Sequence, residues 1–174
     1  MILILSQALD PHAELVEQKL RDRGAEVVRI DPAEFPVRAE VALGFSTTGR
    51  VRCTWRTAER RIDLHRVRAI WLRRPGQLAP HAEITAKVTR DYVEEECKSF
   101  LLGVWDSLAC PFLPAPPAVL RRAELKAPQL RHAGALGFEL PPTLVTNSPE
   151  EFLEFYRRHG GNIVHKLAGV SFHR

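Results

Sequence analysis

The sequence predicts an α/β fold whose N-terminal part is built on a parallel sheet, and three observations predict it. Met1-Ile2-Leu3-Ile4-Leu5 is an unbroken apolar run, the pattern of a strand covered on both faces. Asp10-Pro11 follows as a helix start, and Glu26-Val27-Val28-Arg29-Ile30 supplies a second strand, so the chain opens as a βαβ unit with an expected right-handed crossover. Cys110-Pro111-Phe112-Leu113-Pro114-Ala115-Pro116-Pro117 then places four prolines in eight residues, which no helix can cross.

Each element has its own local cause. Asp10 is a natural N-cap and Pro11 suits the first helical position. Leu15, Val16, Lys19 and Leu20 would form the face turned to the sheet, and Gly24 would stop the helix. Beyond Asp31-Pro32, the alternation of Val41, Leu43 and Phe45, the turn Thr47-Thr48-Gly49, and the alternation of Val51, Cys53 and Trp55 predict a hairpin laid on the edge of the sheet. Val67 and Ala69-Ile70-Trp71-Leu72 read as a further strand ending at Arg73-Arg74-Pro75-Gly76. A long helix is expected over about 83–108, with Ile84, Val88, Tyr92, Phe100, Leu101, Val104 and Leu108 facing the core.

The proline connector sets the expected domain boundary: residues 1–115 form the α/β domain, and 116–174 begin another. In the second part the pattern predicts a helix over about 118–136, broken before Pro128, and a strand over 143–146. A helix over 149–159 with Ser148 as N-cap and a strand over 162–167 follow. Some sixty residues are few for an independent core, so the chain is expected to stop inside its second domain.

With 45% apolar and 26% charged residues, the composition is that of a folded protein rather than a disordered one. No apolar run reaches the length of a membrane-spanning helix, and no basic segment precedes Met1–Leu5 as a signal peptide would require. Cys53, Cys97 and Cys110 are odd in number and lack Cys-x-x-Cys spacing, which points away from a disulfide framework or zinc site; Cys97 and Cys110 are expected to be buried. A cytoplasmic protein in a reducing compartment is the expectation.

The net charge is +4, and only five of the 25 basic residues are lysines. Lys166 lies in the apolar stretch Asn162-Ile163-Val164-His165-Lys166-Leu167, where its ammonium needs either an anionic partner or a route to solvent. Lys126, just before Pro128, stands at a helix start or kink, where a cation suits the site only if an anion shares it; a solvated lysine is the alternative. From Arg50 to Arg74 there are nine arginines against Glu59 and Asp63, a charge of +7. A solvated hairpin edge, an acidic-peptide contact and a nucleic-acid surface are the three readings, taken in that order. Arg73 and Arg74 stand apart, because they end a strand where open α/β sheets place ligands. His12, in the first turn of the first helix, lies at the same end of the sheet. The remaining histidines show no ligand-like spacing.

Several stretches resemble one family. Ala69-Ile70-Trp71-Leu72-Arg73-Arg74-Pro75-Gly76 is similar to the Trp-x-Arg-Arg-Pro strand end of the ATP-grasp ribosomal peptide maturases, the graspetide or microviridin-type ligases. Ala123-Glu124-Leu125-Lys126-Ala127-Pro128-Gln129-Leu130 through Pro142-Thr143-Leu144-Val145-Thr146-Asn147 resembles their entry into the ATP-grasp domain. The 162–167 stretch resembles the strand bearing their second lysine. The opening Ser6–His12 and the segment from Ile30-Asp31 to Phe35-Pro36 fit as well. The likeness covers nearly the whole chain but about the first half of a typical member.

The resemblance implies an N-terminal pre-ATP-grasp, Rossmann-like domain with a parallel sheet and an edge hairpin, followed by the start of an ATP-grasp domain. It implies ATP-dependent activation of a side-chain carboxylate as an acyl phosphate, captured by a hydroxyl or amine of the same ribosomal precursor peptide, leader and core. By position, Lys126 and Lys166 match the two nucleotide-contacting lysines, and Arg73 and Arg74 become candidates for a substrate or phosphate contact. ATP and Mg²⁺ are the implied cofactors of a complete enzyme. A homodimer is compatible with the family, whereas a membrane or nucleic-acid partner is not expected. No catalytic residue is assigned and no metal ligand is found: the tail after Lys166 has only Gly169 and Ser171 in place of a glycine-rich loop and no carboxylate for Mg²⁺. The chain alone is therefore expected not to turn over ATP. The alternative is a non-catalytic α/β module whose arginine-rich hairpin binds an acidic peptide or nucleic acid.

Overall fold

The computed structural model describes residues 1–166. Two compact units divide the chain, Met1–Pro117 and the part from Ala118 onward.

In the first unit, β1 (Ile2–Ser6) pairs in parallel with β2 (Val27–Ile30) on one side and β6 (Ala69–Arg74) on the other. β7 (Phe112–Leu113) extends the sheet beyond β6, giving the order β2-β1-β6-β7. The alternation of β1 divides the apolar residues between two faces. Ile4, with Val27 and the partly buried Ile2 and Trp71, packs with Ala13 and Leu20 of α1 (Pro11–Arg21). Leu3 and Leu5 face the larger core with Ile30 and Ile70.

The hairpin forms as predicted, with β3 (Glu40–Phe45) and β4 (Val51–Arg56) in antiparallel register around Gly49 at φ 75°. It does not lie on the edge of the parallel sheet. β5 (Arg61–Asp63) pairs with β4 to make a separate three-stranded sheet. Its alternation explains why: Cys53 and Trp55, both fully buried, point with Ile62 into the larger core, so the sheet packs by its face rather than by its edge. The place beside β6 is taken by β7, two residues inside the proline-rich connector. The Ile70 amide donates to the Pro111 carbonyl at 2.9 Å as the connector enters the sheet.

The long helix is α2 (Lys87–Asp106), shorter than expected at its start. Leu101, Val104 and Trp105, with Leu108 after it, fill the larger core, and Trp105 stacks on Trp55 with centroids 6.2 Å apart. The expected core face fails in the first two turns, where Val88 is 83% and Tyr92 65% exposed. At about 3.6 residues per turn, Val88 and Tyr92 fall roughly opposite Leu101, so they lie off the inward face, which runs instead through Val93 and Cys97, both partly buried. A similar correction applies to α1: its sheet-facing positions are Ala13, Val16, Glu17 and Leu20, while Leu15 is exposed. Glu17 tolerates its burial by pairing with Arg21 at 2.6 Å and Arg29 at 3.4 Å. Cys97 and Cys110 are half-buried rather than buried.

In the second unit, α3 (Pro117–Ala123) and α4 (Lys126–Ala135) replace the single broken helix, and α5 (Pro149–Arg158) follows. The break falls before Lys126, not at Pro128, because Pro128 sits in the first turn of α4, where its missing N–H costs nothing. The Gln129 side-chain amide donates to the Ala123 carbonyl left free at the end of α3. The strands expected over 143–146 and 162–167 do not form among the described residues: 143–146 and 162–166 carry no ladder. A strand needs a neighbour to hold its backbone groups, and neither stretch has one here. Leu167, Gly169 and Ser171 lie outside the described residues.

Candidate functional site at the carboxyl edge of the parallel sheet

The strands β1, β2 and β6 all run the same way, so their following loops gather at one edge, where open α/β sheets receive ligands. The end of β1, its loop and the first turn of α1 carry Ser6 through His12. Asp10, 4% exposed, is at the centre of this segment. Its Oδ1 accepts from the amides of His12 and Ala13 at 3.0 and 3.1 Å, capping α1. Its Oδ2 accepts from the Ser6 hydroxyl at 2.9 Å and faces Arg73 Nε at 3.4 Å. Burial alone would raise the Asp10 carboxyl, but the Ala13 amide, the Ser6 hydroxyl, the Arg73 charge and the His12 amide outweigh it and hold the group below its ordinary value.

Arg73 reaches further. Its Nη2 lies 3.2 Å from His12 Nδ1. A guanidinium only donates, so Nδ1 accepts, and the ring proton of a neutral His12 sits on Nε2. His12 and Arg73 line an open cleft of about 490 Å³ with Val16, Trp71, Leu72, Leu113 and Pro114.

The end of β6 and its following loop are fixed to the loops after β1 and β2. The Gln7 amide donates to the Arg74 carbonyl at 2.8 Å, and the Gly76 amide donates to Asp31 Oδ1 at 2.8 Å. Asp31 also caps the 3₁₀ turn Pro32–Glu34 through the Ala33 amide. Gly76 is required by close approach: a Cβ there would lie 2.8 Å from Ala33 Cβ and 2.9 Å from Asp31 Oδ2. Thus Ser6–His12, Ile30-Asp31 and Trp71–Gly76, far apart in sequence, meet at one edge.

The predicted site residues divide between the units. Arg73 enters the cleft, whereas Arg74 is exposed and makes no ion pair among the described residues. Lys126 is the first residue of α4, half-exposed, after a residue that offers no side-chain cap. Lys166 is exposed, outside any helix or strand. Neither lysine has an ion-pair partner among the described residues, so both ammonium groups keep their donors for an anion. Among the described residues there is no group of three His, Cys, Asp or Glu side chains that could hold a metal ion. The sequence missed the second roles of two residues. Asp10 reads as an N-cap but also fixes Arg73, and Asp31 reads as a breaker but also holds Gly76. The Ser6-x-x-x-Asp10 spacing was the available signal.

In the arginine-rich segment, the outward positions of β4 and β5 are solvated. Arg56 pairs with Glu40, Arg66 lies 3.5 Å from Glu26, and Arg60 donates to the Arg29 carbonyl. Arg50, Arg52, Arg61 and Arg68 are exposed and have no acidic partner among the described residues. A second open cavity, of about 510 Å³ and lined by Met1, Glu26, His65, Arg66 and Arg68, lies at the opposite end of the strands. No helix among the described residues is long and apolar enough to cross a membrane.

The fold and this edge define an open α/β domain with a buried acid, an arginine and a histidine at the carboxyl ends of its strands; comparison supplies the family. The chain belongs to the family of the MvdD pre-ATP-grasp domain, whose model matches residues 1–118. Among solved structures, it is similar to the macrocyclase MdnC bound with precursor peptide MdnA from Microcystis aeruginosa MRC, at 26% identity and a TM-score of 0.80 over 90% of this chain and 51% of that one. It is similar to the macrocyclase MdnB of the same organism, at 28% identity and a TM-score of 0.80 over 92% of this chain and 52% of that one. A Chryseobacterium gregarium RiPP-associated ATP-grasp ligase in complex with ADP and a leader and core peptide is 29% identical with a TM-score of 0.77, over 91% of this chain and 48% of that one. The chain thus spans about half the length of these ligases. No curated protein matches it.

Proposed function

We propose that this chain is part of an ATP-grasp ligase that forms side-chain ester or amide crosslinks in a ribosomal precursor peptide, acting in the cytoplasm. The observation that carries the reading is the joint likeness: the family model over residues 1–118 and the fold of a peptide-bound macrocyclase over 90% of the chain. ATP, when bound, would activate a peptide carboxylate as an acyl phosphate with release of ADP, and a hydroxyl or amine of the same peptide would attack the acyl carbon and release phosphate. In this assignment Lys126 and Lys166 meet phosphate oxygens as point charges, which suits their unpaired ammonium groups. Arg73 and Arg74 lie on the side of the domain where substrate or phosphate would approach. Positioning and charge neutralisation dominate phosphoryl transfer, so two lysines are a portion of the machinery. These 174 residues span about half of the related ligases, and we propose that alone they bind nucleotide weakly and do not turn it over.

The test pairs this chain with the C-terminal half of a related ligase and a precursor peptide. Mass spectrometry should show one water lost per crosslink in the presence of ATP, and none with the chain by itself. Lys126→Ala combined with Lys166→Ala should weaken binding of a non-hydrolysable ATP analogue, read by calorimetry, by about tenfold or more. Equal analogue binding by the paired wild type and the double variant would remove the lysine assignment.

A further inference from the structure

We infer that the cleft between α1 and the β6–β7 edge is a carboxylate seat, in which Arg73 and His12 grip an acidic side chain of a peptide. Trp71, Val16, Leu113 and Pro114 line the cleft beside them and offer an apolar wall to the methylene groups of that side chain. The inference deepens the ligase reading and rests on it for the identity of the peptide, but not for the binding step itself.

Four features select this occupant. First, Arg73 is fixed before any ligand arrives. Asp10, whose side chain is 3% exposed, faces its Nε, and His12 accepts from its Nη2, while the Arg73 side chain remains 22% exposed toward solvent. A guanidinium held in this way loses little freedom on binding, and its planar fork matches the two oxygens of a carboxylate. Second, His12 accepts at Nδ1, so its Nε2–H is a donor available beside Arg73. Third, Asp10 already neutralises much of the Arg73 charge, and a single negative charge fits what is left better than the multiple charges of a phosphate. Fourth, the amides at the start of α1, the groups that would favour a phosphate, are taken: those of His12 and Ala13 both donate to Asp10. Donors for an anion and an apolar wall together describe a glutamate or aspartate side chain.

The experiment uses the 174-residue chain and small probes. Side-chain nitrogen signals of His12 and Arg73 are followed by NMR during titration with N-acetyl-glutamate N-methylamide, with its glutamine counterpart, and with inorganic phosphate. The glutamate probe should shift both signals along a saturable curve, and the glutamine probe should leave them in place. Arg73→Gln should weaken the glutamate probe about tenfold, whereas Lys87→Gln, at the exposed start of α2 and outside the cleft lining, should leave it within about twofold. Backbone spectra establish that each variant is folded, and Arg73→Lys, which keeps the charge but not the fork, should bind with intermediate strength. Equal shifts with both amino-acid probes, tighter binding of phosphate than of glutamate, or an unchanged affinity in Arg73→Gln would each overturn the seat. These readings require no ATP and no second half. Failure of crosslinking with intact probe binding would strike the ligase reading alone, and intact crosslinking with no probe binding would strike the seat alone.

Discussion

The two units of this chain obey the same local rules and reach opposite results. In Met1–Pro117, every strand has a neighbour, and Leu3, Ile4, Leu5, Trp55, Leu64 and Val104 are fully buried. From residue 118 to 166, no described residue is buried, although Leu136, Phe138, Val145 and Val164 are as apolar as any in the first unit and stand 65–82% exposed. The helices of the second unit are as well formed as those of the first: α5 has a serine cap, acids in its first turn and arginines in its last. The difference is a second layer to pack on. Capping and propensity set where a helix begins and ends, but burial needs a face opposite, and a stretch this short has little interior to offer.

The largest effects should therefore lie in the first unit. Trp55→Ala removes a side chain that stacks on Trp105 and is fully buried, and should cost about 3–5 kcal/mol in urea unfolding. Leu153→Ala in α5, at 44% exposure, should cost less than about 1 kcal/mol. Equal costs would mean that the second unit holds a core comparable to that of the first. The next effect is local. Gly76→Ala places a methyl 2.8 Å from Ala33 Cβ and 2.9 Å from Asp31 Oδ2, so the loop after β6 must shift. About 1–3 kcal/mol should be lost, with the Gly76 and Ala33 amide signals moving most. Gly134→Ala in α4, where the nearest side-chain atom would be 3.5 Å away, should be neutral or slightly stabilising by thermal unfolding.

Legibility followed the same division. The βαβ opening, the hairpin, the Asp10 and Ser148 caps and the β6 strand were readable because each depends on neighbours in sequence: an apolar run, a turn, a cap. Where the hairpin would dock was not readable. Val41, Cys53 and Trp55 establish an apolar face, but whether that face joins a sheet edge or forms its own layer depends on α2, which lies some fifty residues further on. The exposure of Val88 and Tyr92 was in fact legible in the spacing: at about 3.6 residues per turn they fall opposite Leu101, whereas Val93 and Cys97 share its side. At the site, Arg73 was legible as a cation at a strand end, and Lys126 as a residue at a helix start. The link from Asp10 to Arg73 was not, because it joins residues 63 positions apart through a fold. The strands expected at 143–146 and 162–167 were the costliest misreading. Their composition is that of strands, but composition cannot supply the partner strand.

The smallest effects concern the two capped helices, and they sharpen the comparison because the caps are chemically alike and the settings are not. Ser148 accepts from the Glu151 amide at 3.3 Å on an exposed helix, so Ser148→Ala should cost α5 about 0.5–2 kcal/mol, read as faster amide exchange within that helix only. Asp10 is different, because its cap is also the hold on Arg73. Asp10→Asn keeps an oxygen for the α1 amides but cannot accept from Arg73, so the change should spread to the signals of Arg73 and His12 across the sheet edge. The two ends also share a sign with pH. Asp10 is held below its ordinary 3.8 although burial opposes this, through the Ala13 amide, Ser6, Arg73 and the His12 amide; Glu150 is held below 4.5, by its own amide and then Ser148. A depressed carboxyl contributes stability that is complete above its unfolded value and is lost as pH falls through its folded value. The first unit should thus weaken below about pH 4, and Asp10→Asn should flatten that decline in urea midpoints. Glu150→Gln should change little, since an exposed carboxylate is well solvated whether or not its helix is formed. An acid limb that Asp10→Asn leaves intact would show that the Asp10 network does not set the pH response of the sheet edge.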